Sequence, residues 1–86
     1  MESDAELRAA YLEVVENQLR KNEPPETRKT FDRLCTEGFT EKNAKILIAS
    51  VIASETLQTM KYNTTFDHER FVRNLNLLPD QSFLVH

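Results

Sequence analysis

The sequence predicts an all-α domain: an up-down-up helix bundle of three main helices with a short fourth helix packed across it. Three observations predict it. Apolar residues recur at helical spacing in four segments, and nowhere does strand-like alternation appear. The only glycine and the three prolines each sit at an end of one of those segments. The connections are short, which favours antiparallel neighbours and leaves helices 1 and 3 parallel.

Helix 1 is expected over residues 4–21. Ser3 and Glu6 have the S-x-x-E spacing of a capping box, in which hydroxyl and carboxylate satisfy orphan backbone amides reciprocally. Its apolar face is Leu7, Ala10, Tyr11, Val14, Val15 and Leu19. Proline disfavours helical geometry in the residue before it yet suits a first helical turn, so Pro24-Pro25 both stops this helix and starts the next. Helix 2 is expected over 25–37, with Phe31, Leu34 and Cys35 as its apolar face and Gly38 as a left-handed stop. Leu34 to Phe39 fits a Schellman ending.

Thr40 then caps helix 3, expected over 41–61. This helix carries two apolar stripes. Ala44, Ile48, Val51 and Ile52 share one face with Glu55, while Ile46, Ala53, Leu57 and Met60 form a second stripe roughly opposite. A helix apolar on two sides is either wrapped by neighbours or reserved for a partner. Asp67 is positioned to cap helix 4, expected over 68–77, with Phe66 and Phe71 spaced as a hydrophobic staple. Phe71, Val72, Leu75 and Leu78 face the core, Pro79 closes the domain (1–79), and residues 80–86 form a tail ordered only where Phe83 and Leu84 find a surface.

Composition narrows the function. The chain has 86 residues, enough for one domain whose core is marginal without help from a partner. Fourteen acidic against eleven basic residues give a formal charge of −3, the wrong sign for neutralising phosphates, so no nucleic-acid partner is expected. The single cysteine, Cys35, excludes an intrachain disulfide and a cysteine-based zinc site, and a reducing cytoplasm is the natural setting. The start of the chain lacks the pattern of a signal peptide, and no apolar run approaches the roughly 20 residues that span a bilayer, so no membrane partner is expected.

Two sites are expected. In a bundle with helices 1 and 3 parallel, Gln18 and Glu55 fall at similar height on inward faces. A buried carboxylate needs a donor, and Gln18, the Tyr11 hydroxyl and Arg28 are the nearest in that arrangement. Either Gln18 and Glu55 form a specificity-giving hydrogen bond at the rim of the core, or these four residues line a site for a small polar ligand or ion. The second site is an interface at Ile46, Ala53, Leu57 and Met60, with a homodimer its most concrete form.

The segments Val15-Glu16-Asn17-Gln18-Leu19-Arg20, Glu23-Pro24-Pro25-Glu26-Thr27-Arg28, Arg33-Leu34 with Glu37-Gly38-Phe39, and Phe66-Asp67-His68-Glu69-Arg70-Phe71 with Leu77-Leu78-Pro79 resemble a family of small bacterial all-helical domains of unknown function. The resemblance covers most of residues 7–79. Some members pair histidines four apart on helices 1 and 3, a spacing that could ligate a metal. This chain has Arg8, Leu12, Lys42 and Ile46 there, so the resemblance implies no metal site, no cofactor and no activity.

Other motifs are weaker. The turn between helices 2 and 3 resembles the first helix-turn-helix of a ubiquitin-associated domain, but helix 3 is too long for one. As a DNA reader the same turn would present a helix that is mostly apolar after Glu41-Lys42-Asn43. Cys35 sits at helical spacing with Phe31 and Leu34, where an inert thiol is usual. His68 and His86 have no obvious partner in sequence. Without a phosphate loop or a ligand cluster the chain is not expected to be an enzyme. The expected function is a small cytoplasmic interaction or assembly module, with binding of a small ligand around Gln18 and Glu55 as the alternative.

Overall fold

The structure is a computed structural model that describes residues 2–84, with side chains from Glu6 onward. The described residues form four α-helices and no strand: α1 (Glu2–Lys21), α2 (Pro25–Thr36), α3 (Glu41–Tyr62) and α4 (His68–Leu77), followed by a single 3-10 turn, Ser82–Leu84. Helix α1 begins at Glu2, so Ser3 lies within the helix and not at the expected cap before residue 4; the Ser3 side chain and His86 lie outside the described residues.

Left-handed residues end three of the helices. Gly38 has φ +110°, its amide donates to Cys35 O at 3.1 Å, and the Phe39 amide reaches Leu34 O at 3.1 Å, which is the Schellman pattern expected from sequence. Asn22 (φ 55°) closes α1 in the same way, with Asn22 N to Leu19 O at 3.3 Å and Glu23 N to Gln18 O at 3.1 Å. Asn63 (φ 53°) closes α3, where the Thr64 amide reaches Thr59 O at 3.0 Å. Asparagine tolerates this conformation better than most residues, so it substitutes for glycine in a chain that has only one. Helix starts are equally legible. Thr40 accepts from the Asn43 amide at 3.1 Å and Asp67 from the Arg70 amide at 3.0 Å, and the Phe66 and Phe71 rings lie 5.3 Å apart as a staple.

Helix α3 is the hub, packing against α1, α2 and α4. Its inner stripe is fully used: Ala44, Ile48, Val51, Ile52 and Glu55 are all buried, meeting Phe31 and Leu34 of α2, Phe71 and Leu75 of α4, and Leu78. Among the described side chains of α1 only Val15 and Leu19 are buried, with Tyr11 and Leu12 packed at the edge. Leu7, Ala10 and Val14, expected inside, are exposed. The buried stripe of α1 is therefore rotated toward Leu12.

The relation of α1 to α3 also departs from expectation. Glu16 pairs with Lys45 at 2.8 Å, near the end of α1 and the start of α3, whereas Arg8 and Tyr11 share a cleft with Ile46, Ala49 and Ala53. Moving back along α1 means moving forward along α3, so the two lie antiparallel rather than parallel as the up-down-up path requires. The cause lies in α2. Thr27 and Arg28 bind back to Gln18 (2.8 Å) and the Leu19 carbonyl (3.4 Å), and Phe31 one turn later already lies 5.9 Å from the Lys45 ammonium. Helix α2 thus crosses the end of α1 instead of returning along it, and α3 is the helix that returns.

A cross-link from α2 completes the fold. Arg33 donates to the Leu78 carbonyl at 2.9 Å and the Leu75 carbonyl at 3.0 Å. Helix α4 has no basic residue in its last turn, so Arg33 supplies the positive charge that the end of the helix dipole favours. Beyond Pro79 the chain folds back: Phe83 packs on the core and Gln81 donates to Ser50 Oγ at 3.0 Å.

Candidate functional site

Glu55 is 1% exposed, and its carboxylate is fully occupied. Arg70 donates to it twice, Nε to Oε1 at 2.8 Å and Nη2 to Oε2 at 2.7 Å, and the Asp67 amide donates to Oε2 at 3.0 Å. A planar guanidinium meeting a carboxylate edge-on is the strong, geometrically specific form of this interaction. The Arg70 hydrogen bonds hold the Glu55 carboxyl below its ordinary range; burial pushes the other way and the Asp67 amide adds to the lowering. Asp67 is also lowered, chiefly by the Arg70 amide it caps. The result is a charged latch between the middle of α3 and the start of α4.

The four residues expected around Glu55 are distributed differently. Gln18 Oε1 accepts from Thr27 at 2.8 Å, which fastens α1 to α2. Arg28 reaches the Leu19 carbonyl and lies 3.8 Å from Asp32. Tyr11 lines the cleft between α1 and α3. Glu55 and Gln18 therefore each serve a separate helix junction. The partner that sequence reasoning missed is Arg70, and one signal for it existed. A cation in the first turn of a helix opposes the dipole, so an arginine there is best understood as serving another element.

The second stripe of α3 is on the surface. Leu57 is 62% and Met60 73% exposed, while Ile46 and Ala53 are half-buried. Two clefts run along this face. One, of about 210 Å³, lies between α1 and α3 and includes Arg8, Tyr11, Ile46 and Ala53. The other, of about 500 Å³, is lined by Ala53, Leu57, Gln58, Lys61 and Leu84. Ser50 and Ala53 belong to both, so together they make one groove with α3 as its floor, Tyr11 on one wall and Leu84 on the other. The arrangement is concave, chiefly apolar and built on a rigid helix, which suits it to receive a convex apolar ridge.

Other places offer less. Among the described residues no group of three or more His, Cys, Asp or Glu side chains could hold a metal ion. A more open cleft between α2 and α4 holds Glu26, His68 and Arg73, with the Glu26–His68 pair at 3.8 Å. Cys35 is half-buried against the core. Among the described residues no helix is long and apolar enough to cross a membrane. Comparison with protein-family models, with curated proteins and with solved structures finds no match. Functional roles here rest on geometry.

Proposed function

We propose that this chain is a protein–protein interaction module of the reducing cytoplasm, docking its partner on the outer face of α3 formed by Ile46, Ala53, Leu57 and Met60. The carrying observation is that the helix at the centre of the fold leaves a second apolar stripe uncovered, with Leu57 and Met60 more than half exposed and Leu57 lining a groove. Each side chain of that size gains about 1.5–3 kcal/mol when fully buried. An interface at this face supplies burial that so small a core lacks.

A photo-crosslinking side chain at position 57 tests the reading in cells, with position 29, an exposed site on α2, as the control. Adducts are expected from position 57 and not from position 29. An adduct of twice the chain mass identifies self-association, the form a homodimer would take, and any other mass a different partner. Adducts from neither position, or equally from both, would overturn the assignment.

A further inference from the structure

Resting on that docking face, we infer that its occupant is an acidic amphipathic helix rather than a second copy of this chain. The argument is the charge around the groove. At 100° per residue, Lys42, Ile46, Ala53, Leu57, Met60 and Lys61 lie within about 70° of the centre of the outer stripe. The two acidic residues of α3 are elsewhere: Glu55 is buried on the inner face and Glu41 projects well away from the stripe. The apolar stripe is thus bracketed by a lysine at each end, both exposed, neither in an ion pair with a side chain among the described residues. The α1 wall adds Arg8, and among the described residues no side-chain carboxylate lines either cleft. In a chain of net charge −3 the described side chains lining this face carry the opposite sign.

That pattern selects the partner. A second copy related by two-fold symmetry would present the same stripe, lysine-flanked and without a carboxylate, so the pairing would gather cations and neutralise none. A lipid surface is flat, whereas this face is a groove between Tyr11 and Leu84. A helix fits both shape and charge: apolar residues at i, i+3/i+4 and i+7 fill the groove, and carboxylates on its flanks meet Lys42, Lys61 and Arg8. The span from Lys42 to Lys61 is about 28 Å, the length of a partner helix of about 18 residues at 1.5 Å per residue.

The probe is a fluorescein-labelled 18-residue peptide with leucines at that spacing and glutamates on both flanks, beside a version with every glutamate replaced by lysine. Anisotropy titrations at low salt are expected to favour the acidic peptide by about tenfold or more. High salt should shrink the preference, and the double variant Lys42→Glu/Lys61→Glu should reverse it. Leu57→Asp, at an exposed position where circular dichroism verifies folding, should abolish binding of both peptides. Equal binding of the two peptides with loss in Leu57→Asp would overturn the acidic partner and leave the docking face standing. Binding indifferent to Leu57→Asp, or no binding of either peptide, would overturn the docking face as probed and this inference with it. Two further arms run at the same concentration. A dimer dispersed by Leu57→Asp would make a second copy the occupant. Cosedimentation with phosphatidylserine vesicles, lost in Leu57→Asp and unaccompanied by an acidic-peptide preference, would make it a lipid surface. Either result overturns the inference.

Discussion

Replacing Glu55 with glutamine separates a latch from a merely polar core position, and the structure reverses what sequence alone suggests. If Gln18 were the partner, an amide would satisfy it and the change would be benign. The partner is Arg70, an obligate donor, and an amide at position 55 must turn its own NH2 toward the guanidinium or toward the Asp67 amide. With its oxygen in the Oε2 position, glutamine still accepts from Arg70 Nη2 and the Asp67 amide, but its NH2 then faces Arg70 Nε, donor against donor. Hydrogen bonds to charged groups contribute about 1.5–3 kcal/mol each. One is lost and the other two no longer meet a charged acceptor; removal of a buried charge and rehydration of Arg70, whose side chain is 34% exposed, offset part of that loss. The net cost is about 2 kcal/mol, which in a domain of this size lowers Tm by roughly 8–16 °C. Leucine offers no acceptor, so all three hydrogen bonds go and both the Asp67 amide and Arg70 lose their partner, and Glu55→Leu should melt below Glu55→Gln.

The pH dependence follows from the lowered Glu55 pKa. A depressed carboxylate contributes fully above its unfolded value, ordinarily 4.5, and loses its contribution as pH falls through the lower folded value. The Tm gap between parent and Glu55→Gln should therefore be constant from pH 7 to about pH 5 and close as the pH drops further below that ordinary value. Thermal melts by circular dichroism across that range measure it. A glutamine variant that melts within about 2 °C of the parent at pH 7, where about 8 °C or more is expected, would refute the latch.

Gly38→Ala should cost about 1 kcal/mol or more from backbone alone, because φ is +110° while an added Cβ would meet nothing within 4 Å. An unchanged melt would show that α2 tolerates another ending. Thr40→Ala, which removes the cap on Asn43, should cost about 1 kcal/mol by denaturant titration, and no shift in midpoint would discount the cap. Phe71→Ala should cost about 3–5 kcal/mol, since its ring is fully buried where α3 and α4 meet. A loss below about 1 kcal/mol, the scale of a surface change, would mean that this corner of the core is not packed as described.

Helix positions were legible because their signals are local. Gly38, Thr40 and the Phe66-Asp67-Phe71 staple each act within a few residues of chain, and all three appear as read. The two stripes of α3 were legible for the same reason, since periodicity alone separates Ile48 from Leu57. Helix register was not. Whether α2 returns along α1 or crosses its end depends on contacts such as Thr27–Gln18 and Phe31–Lys45, which join residues whose spacing carries no periodic signal. Assuming a return placed helices 1 and 3 parallel, and the parallel register in turn assigned Gln18 to Glu55. The burial of Glu55 was therefore readable and its partner was not. The two asparagine helix endings at Asn22 and Asn63 were likewise passed over, because asparagine marks loops far less sharply than glycine.

The most direct test of the docking face is a map of amide chemical shifts in ¹⁵N-labelled protein titrated with the acidic and the basic amphipathic peptides. A docking face on the outer stripe of α3 predicts that whichever peptide binds perturbs Ile46, Ser50, Ala53, Leu57 and Met60, with Tyr11 and Leu84 at the edges, and leaves α2 and α4 near Glu26 and Arg73 unmoved. Perturbations centred on that α2–α4 cleft, or none along α3 at saturating peptide, would contradict it.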